Sequence, residues 1–171
     1  CFAENPERVQ SLRHRIEHCV IVDQDLIDRM AKMNICPVLH PGLIQMLGKN
    51  LAAFYGPERS RYLEAVRSML DAGIKVSLHS DAPSGPIGIN VIDAAVNRYD
   101  RSKGYQFDRT QCVSVLEAIR CYTLNPAYAS FQEDIKGSIE VGKLADLIVL
   151  SDDILKIDPM DIYQLKVDMT L

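Results

Sequence analysis

The sequence predicts an α/β fold, because short apolar segments with strand character alternate with amphipathic helical segments. The predicted strands lie at residues 13–22, 35–39 and 75–80. The strands are apolar almost throughout, which is typical of parallel strands whose two faces are both covered. At 171 residues, with 47% hydrophobic and 25% charged residues, the chain is long enough for one ordinary domain with a sizeable core.

Each helix in the first half has its own start or stop signal. Asp23 is the predicted N-cap of a helix whose apolar residues recur at helical spacing over residues 26–33. An irregular stretch is then expected through Gly48 and Gly56. The next helix ends at Gly73, which occupies the position where a left-handed residue commonly terminates a helix.

The region after the third strand begins with a loop rich in proline and glycine at residues 83–88. A helix is predicted over residues 92–99, and residues 100–109 read as a polar linker. Ser114 and Glu117 have the spacing of a capping box, which predicts that a helix starts there. Asn125-Pro126 predicts the start of another short helix.

The pattern becomes β-like from Gly137 onwards. Strands are predicted at residues 138–141 and 147–150, and a further strand starts near residue 167. The chain begins at Cys1 without an initiator methionine and stops inside this last strand pattern. We therefore expect a processed or truncated product whose last strand leaves an unpaired edge.

Composition and charge exclude several classes of function. The net charge of −4 comes without a basic block, which argues against nucleic-acid binding. No apolar run approaches the roughly 20 residues of a membrane span, and the start is not a signal peptide. The five cysteines are scattered without a Cys-x-x-Cys pair, so we expect reduced thiols in a cytoplasmic protein.

The strongest functional signal lies where the predicted strands end. The third strand ends in His79 and Asp81, which share one face with a spacing of two, and Pro83 stops the strand. His18 and His40 lie at or near the ends of the two preceding strands. In a parallel barrel these ends converge on one face, where a metal-assisted hydrolase places its ligands and base. The alternative is that Asp81 only caps the following loop.

Nucleophilic catalysis by serine or cysteine has less support. The chain lacks the Gly-x-Ser-x-Gly elbow of a serine hydrolase. A cysteine hydrolase that uses Cys36 with His40 is the remaining covalent alternative. Cys19 is adjacent to His18, but neighbouring strand residues point to opposite faces. Arg15 and Glu17 are best interpreted as a structural ion pair rather than as catalytic groups.

Five segments together resemble the amidohydrolase superfamily, and specifically the amidohydrolase family 3 group of YtcJ-like metal-dependent hydrolases. Each segment alone is a weak match, whereas their order and spacing are specific and cover nearly the whole chain. The matching segments are RHRIEH at residues 13–18, PVLHP at 37–41, LDAGIKV at 70–76, HSDAP at 79–83 and GSIEVGKLADLIVL at 137–150.

The resemblance implies the last three βα units of a (β/α)8 TIM barrel in residues 1–132 and C-terminal strands of a small β-sandwich in residues 133–171. His18 matches the metal ligand of the sixth barrel strand. Asp81 matches the aspartate of the eighth strand, which binds metal and deprotonates the attacking water. His40 and His79 are expected to contact substrate or to support the metal ligands.

The same resemblance predicts a divalent metal, with zinc favoured, and a small-molecule substrate with a carbon–nitrogen bond other than a peptide bond. The family's His-x-His of the first strand, the bridging Lys or Glu of the fourth and the His of the fifth have no counterpart here. Two ligands are too few for a catalytic zinc.

The chain is therefore expected to be inactive and to bind no metal alone, with the missing N-terminal part of the enzyme as its partner; a homo-oligomer is compatible with this. The alternative function is a non-catalytic α/β module or degenerate fragment used in assembly.

Overall fold

The fold is described from a computed structural model, which covers residues 5–84 and 88–171, so part of the predicted loop at 83–88 lies outside the described residues. The helices are α1 (Pro6–Ser11), α2 (Gln24–Lys32), α3 (Gly42–Ser60), α4 (Val66–Asp71), α5 (Ile89–Asn97), α6 (Val115–Tyr122) and α7 (Leu124–Ala129). The strands are β1 (Arg15–His18), β2 (Cys36–Leu39), β3 (Ser77–Leu78), β4 (Tyr99–Asp100), β5 (Tyr105–Gln106), β6 (Ile148–Leu150) and β7 (Val167–Thr170). Two short 3-10 helices lie at Arg109–Gln111 and Pro159–Gln164.

The first three strands form a parallel sheet in the order β1-β2-β3, which confirms the predicted α/β class. The observed strands are shorter than the predicted ones. The predicted strand at residues 13–22 is reduced to β1, which lies between Arg13 (φ 46°) and Cys19 (φ 43°), two residues whose left-handed backbone departs from the extended conformation of a strand. Only Ser77–Leu78 of the predicted residues 75–80 pairs with β2.

The two faces of this sheet have different surroundings. Leu39 of β2 aligns with Leu78 of β3, and both lie in the main hydrophobic core together with Ile27 of α2. Residues that are paired in register point to the same side of a parallel sheet, and their neighbours point to the other side. Glu17 aligns with Val38, which aligns with Ser77, so the opposite face carries a mixture of polar and apolar side chains.

The local signals at α2 and α4 are confirmed. The Asp23 carboxylate accepts the main-chain N–H of Leu26 at 2.8 Å, as an N-cap does. Gly73 has a φ of 78°, and its N–H donates to the carbonyl of Leu70 at 2.9 Å. The N–H of Ile74 reaches back to Met69 at 3.0 Å, and these two bonds form a Schellman motif.

The irregular stretch predicted through Gly48 and Gly56 is wrong at Gly48, which lies inside helix α3, but the non-helical backbone at Gly56 interrupts the helical run of residues 42–60 as predicted. A glycine costs a helix only about 1 kcal/mol, which packing can outweigh. Gly48 is buried, and a Cβ there would lie 3.2 Å from the ring of Phe107. The glycine therefore allows the backbone of α3 to lie close to Phe107. The helix bends at Gly56 (φ 74°), just before Pro57, whose ring does not fit a regular helix interior.

The predicted polar linker at residues 100–109 contains a small hairpin, in which Tyr99 of β4 pairs with Gln106 of β5. The helix predicted to reach Tyr99 ends at Asn97, because Tyr99 belongs to strand β4 of this hairpin. The buried Asp100 stabilises the turn, because its Oδ1 accepts the Ser102 hydroxyl at 2.7 Å. An aspartate that bonds within its own turn is a common way to form such a connection.

The C-terminal region confirms two predicted strands and contradicts one. β6 and β7 form an antiparallel pair within the predicted segments 147–150 and 167–170. Residues 138–141 are not a strand, and no strand of the described residues pairs with them. Ile139 and Val141 are highly exposed, so alternation of apolar residues was not sufficient without a neighbouring strand. Among the described helices, none combines the length and the apolar character that crossing a membrane requires.

The capping box at the start of α6 is confirmed and leads to a pH-dependent prediction. Ser114 and Glu117 bond reciprocally, and Glu117 also accepts the Arg67 guanidinium at 2.6 Å. The ion pair with Arg67 and the bonds from Ser114 lower the pKa of Glu117 from 4.5 to about 2. Because the folded-state pKa is depressed, the stabilisation is present above pH 4.5 and is lost as the pH falls through about 2.

We expect Glu117→Gln to lower the free energy of unfolding by about 1 kcal/mol near neutral pH, since partial exposure screens the ion pair. The difference from wild type should shrink as the pH is lowered towards about 3. Urea denaturation of the intact gene product at both pH values measures it. Glu58→Gln, which removes an exposed carboxylate, is the matched control. A loss that is independent of pH would contradict the assignment.

Two glycines in the C-terminal region offer a matched test of backbone strain and packing. Gly137 (φ 95°) lies against α7, where a Cβ would be 2.7 Å from the Cβ of Ala127 and 3.1 Å from the Thr123 carbonyl. Gly142 has nearly the same φ of 94° but open space around it. Gly137→Ala should therefore destabilise by about 2–4 kcal/mol and Gly142→Ala by about 1 kcal/mol. Thermal unfolding of both variants measures the difference, and equal losses would show that packing against α7 is unimportant.

Candidate metal centre

The three parallel strands bring three histidines together at their carboxyl ends. His18 is the last residue of β1, His40 follows β2, and His79 follows β3. The ring centroids of His18 and His79 are 4.8 Å apart, and those of His40 and His79 are 5.1 Å apart. The ring of His18 lies 6.3 Å from that of His40. The convergence expected from strand order is therefore present.

The carboxylate of Asp81 joins this cluster. One potential ligand atom from each of His18, His40 and Asp81 lies within 4.8 Å of the others. Two imidazole nitrogens and a carboxylate oxygen at such separations are a donor set that zinc prefers. The structure thus places His40 with the two sequence-predicted ligands, whereas the sequence suggested only a substrate contact or a supporting role for it.

Two members of the cluster have an unusual backbone conformation. His18 has a φ of 63° and Asp81 a φ of 52°, in the left-handed region that residues with a Cβ rarely adopt. Each such residue costs about 1–3 kcal/mol and persists where the surroundings over-determine it, as they do at many functional sites. The left-handed turn at His18 also removes its side chain from the simple alternation of β1, which would align it with Leu39.

His79 is held by a contact with Asp81. The main-chain N–H of Asp81 donates to Nδ1 of His79 at 3.1 Å. An accepting Nδ1 carries no proton, so the neutral ring carries its proton on Nε2. That Nε2 is buried and has no hydrogen-bond partner among the described residues. Burial, and secondly the charge of His18, lower the pKa of His79, which favours this neutral form.

His40 has the properties of a ligand rather than of a surface histidine. Its side chain is buried, and its Nε2 has no hydrogen-bond partner in the described part of the chain. Burial, followed by the charge of His79, lowers the pKa of His40 and keeps the imidazole neutral. A neutral imidazole with a free nitrogen is the form that binds a metal, so the residues present fit a divalent ion.

The cysteine alternative has no geometric support. Cys36 and His40 are four residues apart on β2 and its continuation, about 13 Å along an extended strand. Burial raises the pKa of the Cys36 thiol, which disfavours the nucleophilic thiolate. Arg15 and Glu17 form the expected ion pair, with a guanidinium nitrogen 2.6 Å from the carboxylate.

Sequence reasoning missed one buried group beside the cluster. The carboxylate of Glu64 is completely buried, and its Oε2 accepts the main-chain N–H of His40 at 2.9 Å. Burial raises the pKa of Glu64 to about 8, against the opposing effects of that hydrogen bond and of Arg98. In the sequence Glu64 stands between Leu63 and Ala65, and a glutamate in an apolar segment was the available signal.

Comparisons with known proteins agree with this geometry. A profile described as "Amidohydrolase family" matches residues 3–171. The chain is 40% identical over 141 residues to the N-substituted formamide deformylase of Arthrobacter pascens, covering 81% of this chain and 26% of that protein. It is 31% identical over 163 residues to the amidohydrolase YtcJ of Bacillus subtilis, covering 93% of this chain and 31% of that protein.

A solved metal-dependent hydrolase from Pyrococcus furiosus has a similar fold. The TM-score is 0.69 at 30% identity, and the match covers 84% of this chain and 29% of that one. The chain thus spans between a quarter and a third of the length of these relatives. The profile match over nearly all residues, together with the converging histidines and aspartate, shows that this chain belongs to the amidohydrolase family.

Proposed function

We propose that this chain forms the last three βα units of a metal-dependent amidohydrolase barrel, together with C-terminal strands of a small β-sandwich. The boundary between these two parts is proposed to lie near residue 132. The complete enzyme hydrolyses a carbon–nitrogen amide bond of a small molecule. The observation that carries the proposal is the convergence of His18, His40 and Asp81 within 4.8 Å. The remaining barrel strands continue from β1, which is an edge of the described sheet.

The metal is proposed to be zinc, held by His18, His40 and Asp81. Two nitrogens and one oxygen correspond to the three protein ligands of many catalytic zinc sites, which keep a further position for water or substrate. The exposed position of His18 leaves the cluster accessible from the side of β1. Further ligands from the rest of the enzyme can therefore approach from that side.

When bound, the metal supplies Lewis-acid activation of water and polarisation of the substrate carbonyl. Asp81 accepts a proton from the attacking water as its oxygen adds to the carbonyl carbon. When the carbon–nitrogen bond breaks, Asp81 delivers that proton to the leaving nitrogen. The N–H of His79 donates to the substrate carbonyl oxygen, consistent with its buried Nε2 lacking a partner among the described residues.

The substrate class is proposed to be N-substituted formamides or similar simple amides. The support is the 40% identity to a deformylase that acts on N-substituted formamides, over 81% of this chain. The test is to purify the intact gene product, determine its metal content by mass spectrometry, and assay amine release from a panel of N-substituted formamides and acetamides. A metal-loaded protein that releases no amine from any of them would refute the substrate class.

A further inference from the structure

We propose that Glu64 is a positioning residue that fixes His40 relative to His18, an inference that rests on the proposed metal site. The side chain of Glu64 is completely buried, and its Oε2 accepts the N–H of His40 at 2.9 Å. Its second oxygen, Oε1, is also buried and has no partner among the described residues. A fully buried carboxyl group with one unpartnered oxygen is costly, so a specific role for it is expected.

The main chain of Glu64 is bonded to the segment that follows His18. The N–H of Glu64 donates to the carbonyl of Val20 at 2.8 Å, and the adjacent Leu63 forms an antiparallel bridge with Ile21. One residue therefore contacts both strand ends that supply the histidine ligands. Its N–H bonds to the segment that follows β1, and its carboxyl group bonds to the residue that follows β2.

Arg98 fixes Glu64 in turn. Its buried guanidinium donates to the main-chain carbonyls of Leu63 and Glu64, each at 2.9 Å, and its Nε donates to the carbonyl of Asp108 at 3.0 Å. These bonds hold Glu64 in a left-handed conformation, with φ 47°. In this conformation the carboxyl group reaches the N–H of His40. A strained conformation of this kind persists only where the surrounding structure fixes it.

A simple buried ion pair is the structural alternative, and the contacts disfavour it. The three hydrogen bonds that the Arg98 guanidinium makes within the described residues all go to main-chain carbonyl oxygens. Within residues 5–84 and 88–171, the Glu64 carboxylate makes its hydrogen bond to the amide of His40 rather than to Arg98. The carboxylate is thus used as an acceptor for the segment that carries the ligand.

The test compares Glu64→Met with Glu64→Gln in the intact gene product. Methionine fills a similar volume but offers no comparable acceptor, whereas glutamine keeps an oxygen for the amide of His40. Zn²⁺ affinity is measured by competition with a chelator, and ligand geometry by the visible absorption of the Co²⁺-substituted protein. We expect Glu64→Met to weaken Zn²⁺ binding by about 10–100-fold and to alter the Co²⁺ bands. Glu64→Gln should remain within about threefold of wild type.

Asp100→Ala, which removes a buried carboxylate that bonds within its own turn, is the control for stability alone. It should lower the melting temperature without changing Zn²⁺ affinity. Should Glu64→Met fail to fold, Glu64→Asp withdraws the carboxylate from the amide and is expected to give the same loss.

Unchanged affinity and spectrum in Glu64→Met or Glu64→Asp, or equal losses in Glu64→Met and Glu64→Gln, would overturn the positioning role while leaving the metal site intact. A wild-type protein without stoichiometric metal would instead overturn the proposed function, and this role with it.

Discussion

Asp81→Asn should lower kcat of the intact gene product by about 10²–10⁴-fold with little effect on folding. The carboxamide keeps the size of the side chain but cannot accept a proton from the attacking water. The main-chain N–H of residue 81 that donates to His79 is unaffected by the substitution, so the local structure should persist. Asparagine also tolerates the left-handed backbone at this position, where φ is 52°.

The measurement combines steady-state kinetics with circular dichroism and thermal unfolding. Asp168→Asn, an exposed aspartate on β7, is the matched control and should retain wild-type kcat. Activity retained in Asp81→Asn would remove this residue from the role of base. A fall in melting temperature that matched the loss of activity would instead point to a loop-capping role for Asp81.

His40→Ala should lower Zn²⁺ affinity by more than about a hundredfold, which exceeds the 10–100-fold typical of groups outside the ligand set. The reason is that His40 supplies one of the donor atoms that lie within 4.8 Å of one another. Isothermal titration of the metal-free intact gene product with Zn²⁺ measures the change. His14→Ala, which removes an exposed histidine four residues before His18, should bind Zn²⁺ as wild type does.

The same experiment separates the possible roles of His40. Unchanged metal affinity with a raised KM would make His40 a substrate contact, which is the role suggested by the sequence. If neither wild type nor variant binds metal, the non-catalytic assembly role becomes the better description. Metal content therefore decides between the two classes of function before any substrate is known.

The sequence was sufficient for those features that depend on local chemistry. The N-cap at Asp23, the glycine after α4 and the capping box at Ser114 each follow from one or two residues, and all three are confirmed. The alternation of strands and helices was also readable, because hydrophobic periodicity records which side of each element is covered.

The features that were missed depend on contacts between distant parts of the chain. Helix α3 contains glycines that suggest a loop, and it is stabilised by packing such as that of Gly48 against Phe107. The orientation of His18 at the end of β1 depends on a left-handed φ, and no residue type in β1 predicts such a backbone conformation. The link between His40 and Glu64 joins residues 24 positions apart, beyond the range of any local pattern.

This last contact has a consequence for how the protein can vary. The hydrogen bond between His40 and Glu64 joins the two ends of the segment at residues 40–64, which contains α3. Both ends of this segment are therefore fixed where the chain leaves and rejoins the site. Added residues increase the entropic cost of a closed loop only slowly. The middle of segment 40–64, where Phe54 is 80% exposed, can therefore be lengthened or exchanged without displacing the metal-binding atoms of the site.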